Sequence, residues 1–459
     1  MRGIQRQSRR PVQARAVSWL LLSLLGVLWA VGRQGSTTAA EPHNVDQAAV
    51  SRLITNLGDP QQRRREAATD ALESLGIGIL PQLEEALPLA SAETAWRLRM
   101  LRSVLADRAV AAAIEPTHVP VTPAGTPISV ALADLFEGPG GPLPLSEESL
   151  APTLVPAPSS DFPAHPTYWE ELERLLAIAH SRVATEATTA SGLVIRPLRP
   201  DEPQPLATSA GPLRVELLRA VMLPSEKPTA TRLTLRVLWE PRMHPVMLQL
   251  PMVSLIAEGE AGEVVPPQQR MAVAEASPRG QSGSVTLPIL LAAPPEGSTP
   301  TLATLRGTLS LWVPAPDVEA RFPLPPAGLI AAPVLQLGDA TVELASLTIA
   351  EGSVTVRMRA DYPATEALAS HRTWITDRTL FCRIDGSLIA ATSDRVVHRS
   401  NTGLTREAVF PLPQGTNPQA VSGEVGWQVP LAIRDVPVDF LLRGIPLPFS
   451  SDAKTDSDR

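Results

Sequence analysis

Gly307-Thr308-Leu309-Ser310-Leu311-Trp312-Val313-Pro314 alternates apolar and polar side chains, the period of a strand with one buried face. The same outline returns in Gly423-Glu424-Val425-Gly426-Trp427-Gln428-Val429-Pro430, with identical Gly-to-Val-Pro spacing. The two tryptophans are offset by one position, which places them on opposite faces unless a bulge intervenes. Downstream, Phe322 precedes Pro323-Leu324-Pro325, and Phe440 precedes Pro446-Leu447-Pro448. Upstream, Thr286-Leu287-Pro288-Ile289 corresponds to Val409-Phe410-Pro411-Leu412. Leu233, Leu235, Val237 and Trp239 alternate with Arg232, Thr234, Arg236 and Leu238 as a half-buried strand, and Val354, Val356 and Met358 do the same in the later half. An internal repeat of this kind predicts two tandem antiparallel β-sandwich modules, 212–325 and 334–448, with one continuous sandwich or barrel as the alternative. Trp312 and Trp427 are expected in their cores.

Ahead of the repeat, residues 117–198 read as a small α+β domain of order β-α-β-β-α-β. Its expected strands are 118–121, 153–155 and 193–195, and its helices are 127–136 and 167–180. On the second helix Trp169, Leu172, Leu176 and Ala179 share one stripe. Residues 45–110 read as four helices. Val50, Leu53, Ile54 and Leu57 form the first apolar stripe, and Gly58 stops it. Asp59 then stands as the expected N-cap before Pro60, and Gly76 ends the helix that follows. The fold class is therefore a multidomain α+β chain.

Three resemblances attach to these segments. LGDPQQRRREAATDALESLG and ILPQLEEAL resemble HEAT-type helical repeats, which implies stacked helix pairs needing a neighbour to cover their open faces. The "strand, PISVALADLF helix; strand, TYWEELERLLAIA helix" pattern is similar to the short N-terminal domain of secretins and TonB-dependent receptors. Taken whole, the chain resembles uncharacterised planctomycete-type exported proteins, in which LGDP…REAA…LESLG helices precede β modules. That likeness implies a family and no activity.

The N-terminus carries Arg2, Arg6, Arg9, Arg10 and Arg15, then the uncharged run of residues 16–31, then Gly35-Ser36-Thr37-Thr38-Ala39-Ala40. This layout predicts an export signal over residues 1–40, with 16–31 as a membrane anchor if it stays uncleaved. The expected location is the periplasm or cell envelope. The formal net charge of −7 argues against nucleic acid as a partner. Cys382 is the single cysteine, so an internal disulfide is excluded and stability must come from packed cores. The polar end, 449–459, is expected to be disordered.

No cofactor or metal motif emerges. His43, His118, His165, His180, His244, His371 and His398 include no pair at i, i+4 and no HExxH. Gly280-Gln281-Ser282-Gly283 misses the GxSxG spacing by one residue, and Gly138-Pro139-Gly140-Gly141 lacks the donors of a phosphate loop. Glu84-Glu85, Glu147-Glu148 and Glu170-Glu171 are neighbours pointing in different directions, expected on solvated faces. Aromatic residues make up 4% of the chain, too few to favour a carbohydrate platform. His371, Arg372, Trp374 and Asp377, in an insertion of the second module, are the candidate binding residues. The expectation is an exported envelope scaffold that binds other envelope proteins without catalysis. The alternatives are an envelope hydrolase with its site where the α+β domain meets the β modules, and an accessory component of a secretion or receptor system.

Overall fold

The computed structural model describes residues 46–137, 153–185, 193–223, 230–278, 282–293, 301–324, 333–350, 352–363, 368, 374–413, 417 and 421–447. The expected export signal, the 16–31 anchor and the 449–459 tail lie outside them. The chain divides into Met1–Gln47 and Ala48–Arg459, and the description below concerns the second part. It is a mixed α+β structure in which, among the described residues, every strand pairing is antiparallel and no sheet closes. Among the described residues, no helix is long and apolar enough to cross a membrane.

Four helices open the described chain: α1 (Gln47–Asn56), α2 (Gln62–Ser74), α3 (Leu80–Ala86) and α4 (Ala92–Ile114). Val50 and Leu57, with Ala68 and Leu72, are buried as the 3.6-residue period requires. Asp59 is not the formal N-cap of α2. Its carboxylate instead accepts at 2.8 Å from the N–H of Gln61, the N-cap two residues further on. Gly76 follows α2 with φ +69°, the left-handed stop expected of it. Ser91 caps α4, accepting from the Thr94 N–H.

The 117–198 region contains α5 (Ile128–Glu137), α6 (Tyr168–Ile178), and the hairpin β1 (Ser181–Thr185) with β2 (Leu193–Pro197). Two expected strands shrink to isolated bridges, His118 with Thr167 and Pro127 with Leu154. The β-α-β-β-α-β order is thus corrected to bridge, helix, bridge, helix, hairpin. Thr167 and Glu170 form a reciprocal capping box that fixes the start of α6. Both helices pack into one core around Trp169, Leu172 and Ile195.

Beyond lie β3 (Leu206–Ala210), β4 (Leu213–Leu223), β5 (Ala230–Trp239), β6 (Met247–Pro251), β7 (Ile256–Gly259), β8 (Val273–Ala276), β9 (Ser284–Ala292), β10 (Thr301–Pro314) and β11 (Asp317–Pro323). Next come β12 (Val334–Leu337), β13 (Ala340–Ala350), β14 (Ser353–Asp361), β15 (Leu380–Ile384), β16 (Ser387–Ile389) and β17 (Ser393–Arg399), and then β18 (Gly403–Pro411), β19 (Gly423–Pro430) and β20 (Ile433–Pro446). The sheet orders are β3-β4-β5-β9, β20-β10-β6-β8 with β7 also on β10, β11-β19-β15-β16, and β12-β13-β14-β18-β17.

These orders change the expected division of the repeat. β11 belongs by sequence to the first half but pairs with β19, while β20, from the second half, pairs with β10. The boundaries 212–325 and 334–448 therefore cut across two sheets. The last two sheets share one core, in which Phe322 and Trp427 meet Val356, Met358 and Phe410. Trp427 is fully buried as expected. Trp312 is only partly buried and packs against that same core from the other half, because the one-position offset does turn it to the opposite face.

β5 also departs from expectation. Arg236 and Leu238 are buried beside Leu235 and Val237, so both faces of this strand are covered. The cover is the 117–198 region: Leu238 joins its core, and Arg236 donates to the Val183 carbonyl at 2.6 Å. Arg236 and Arg214 both pair with the buried carboxylate of Glu216 at 2.7 Å. The Trp169 indole N–H, at 2.9 Å from the Pro212 carbonyl, closes the same contact.

Candidate interaction groove

The helices meet the second half of the β structure along a cavity of about 890 Å³. One wall is the turn before α3 and α3 itself, with Ile77, Leu80 and Glu84. The other is formed by β11 and β12, with Val318, Glu319, Val334 and Leu335. Both strands stand at the ends of their sheets, so the groove follows two sheet edges. Val334 is 57% exposed, whereas Leu337 at the inner end of the same strand is buried.

Arginine side chains hold these walls together. Arg102 on α4 is 2% exposed and pairs with Glu84 at 2.8 Å. It also donates to the Gln336 carbonyl at 3.0 Å, so a helix side chain covers a main-chain group of the β12 edge. Arg434 on β20 reaches Asp107 on α4 at 2.6 Å and Asp339 at 2.5 Å. Farther along, Arg242 donates to the Ala112, Ala113 and Glu115 carbonyls at the C-terminus of α4, and Glu240 holds it in place.

The groove carries both signs of charge. Burial pushes the Glu84 carboxyl above its ordinary range, against the opposing pull of Arg102. Burial likewise raises Asp317, while Arg378 and His244 pull it down. Hydrogen bonds from Arg383 hold Glu319 low, with Arg321 adding to the effect. His244, exposed by surface area yet flanked by protein, is shifted down by desolvation and then by Arg378, with Asp317 opposing.

The residues singled out from sequence fall elsewhere. His371 and Arg372 lie outside the described residues. Trp374 is 4% exposed and stacks edge-on to Tyr362 at 5.5 Å between centroids, so it serves the core of the second half. Asp377 is exposed at the end of the same helical turn. The adjacent glutamates are not all solvated. Glu84 turns inward to Arg102, and Glu171 is fully buried against Arg174 and the Thr122 N–H. Glu170 turns the other way, to the start of its own helix. Ser282, from the near-miss nucleophile motif, donates to the Ser284 carbonyl in a turn. Among the described residues no group of His, Cys, Asp and Glu is arranged to hold a metal ion. The groove was missed because its charged residues come from distant segments, with no local spacing to announce them.

No known protein family matches the chain, and no curated protein does. Among solved structures, it is similar to a conserved domain protein from Bacillus anthracis at 7% identity, over 52% of this chain and 89% of that one. The TM-score of 0.15 is too low to bear on fold or function.

Proposed function

We propose that this is an exported envelope scaffold whose groove between the helices and strands β11 and β12 binds another envelope protein. The observation that carries the reading is the groove itself, with apolar walls along two sheet edges that the Arg102 and Arg434 ion pairs tie to the helices. In finer terms the helices are HEAT-like and the β region is a pair of β-sandwiches. The 117–198 region, with its likeness to the secretin short N-terminal domain, packs against β5 of the first sandwich. Export rests on the N-terminal arginine and apolar pattern. Affinity capture from envelope fractions tests the proposal. The wild type retains a defined partner, Val334→Glu loses it, and Leu388→Glu on the distant edge strand β16 keeps it. Equal retention by all three removes the groove from the function.

A hydrolase is the second reading, favoured by one observation: Glu84 and Asp317 line the same cavity and burial raises both carboxyls. Each also faces an arginine in an ordinary ion pair, which favours a structural role. Turnover of generic ester, peptide or glycoside substrates that vanishes in both Glu84→Gln and Asp317→Asn would establish the enzyme.

A further inference from the structure

We infer that residues 301–323 and 424–446 form one continuous two-stranded ribbon that makes the two halves of the repeat obligate folding partners. The halves share a topology: β3-β4-β5-β9 matches β12-β13-β14-β18, and β20-β10-β6-β8 matches β11-β19-β15-β16. In both sheets of the second pair the first-named strand, β20 or β11, comes from the other half of the chain. The exchange occurs without a break in register. Pro314 faces Ile433, and just past the crossing Asp317 faces Pro430. The crossing is itself hydrogen-bonded, with the Ala315 N–H donating to the Ala432 carbonyl at 2.8 Å and the Leu431 N–H to the Pro316 carbonyl at 3.2 Å.

Packing fixes the crossing in place. The Asp339 N–H donates to the Leu431 carbonyl at 2.8 Å. Gly338, at φ +60°, lets the β12–β13 turn approach so closely that an added Cβ would stand 2.1 Å from that carbonyl. The exchanged strands also bring core residues with them. β20 supplies Phe440, Leu442 and Ile445, and β11 supplies Ala320 and Phe322, all buried. Without β20, strand β10 would present a long open edge, and the first half would lose part of its apolar packing. In a chain emerging N-terminus first, the first half therefore stays incomplete until almost the last described residue arrives. The two halves should then unfold together.

Hydrogen exchange of the full chain in increasing denaturant, read by mass spectrometry, tests this. Phe410→Ala opens the second half in β18, a strand outside the ribbon. The expected result is that protection of β4 and β5 shifts to lower denaturant by the same amount as protection of β13 and β14. The milder Val356→Ala carries the same comparison should Phe410→Ala fail to fold, and Leu235→Ala in β5 runs it in the reverse direction. A shift confined to the half that carries the substitution overturns the inference.

Discussion

Replacing Arg102 with Met removes a guanidinium that ties α4 to both α3 and β12. The methionine fills most of the volume, so the loss is mainly electrostatic. Breaking a buried pair from one side costs about 3–5 kcal/mol, because the remaining charge is left unpaired. Glu84 keeps 19% of its side chain exposed, and water there should recover part of that, leaving about 3 kcal/mol near pH 7. The penalty depends on pH in a fixed direction. Without Arg102, the folded-state pKa of Glu84 rises further above its unfolded value. The cost is then full above the folded pKa and fades as pH falls toward the unfolded one. Substituting Glu84→Gln as well removes the stranded charge and should return most of the loss, to about 1 kcal/mol. Urea unfolding of the wild type, both single variants and the double variant at about pH 7 and about pH 5 measures each term. A loss below about 1 kcal/mol, the same loss at both pH values, or a double variant as unstable as Arg102→Met would refute the reasoning.

Other substitutions separate core from surface. Trp427→Ala should cost about 3–5 kcal/mol through lost burial and a cavity, whereas the partly exposed Trp312→Ala should cost under about 2 kcal/mol, both read from unfolding midpoints. Cys382 is fully buried and its thiol is pushed up to about 11, so a thiol reagent should label it only as the protein unfolds, and rapid native labelling would contradict this burial. Hydrogen bonds from Arg196, then from the Arg199 N–H and Arg182, hold Glu202 down to about 2 from an ordinary 4.5. Its contribution to stability is therefore present above about pH 4.5 and lost as pH falls toward 2. Glu202→Gln should flatten the acid limb of the stability curve in that window.

The elements were readable from the sequence wherever a short period governed them. The stripe of α1, the stop at Gly76, the stripe of α6 and the Gly-to-Val-Pro strands all follow from residues close together in the chain. The partners of those strands were not readable. Nothing local distinguishes β11 pairing with its own half from β11 pairing with β19, since both satisfy the same alternation. Arg236 read as the solvent face of β5 because period alone cannot reveal that another region covers that face. Glu84 and Glu171 read as surface charges because their arginines lie either far off in sequence or on a face seen only after packing. The groove belongs to this second class, assembled from α3, β11 and β12.

Site-specific photocrosslinking in the native envelope tests the central claim most directly. A photoreactive residue at Val334, in the wall of the groove, should trap one defined protein partner. The same residue at Leu388 should trap none or a different set. Identical crosslinking from both positions, or none from Val334 while Leu388 captures a partner, would contradict the groove as the binding surface.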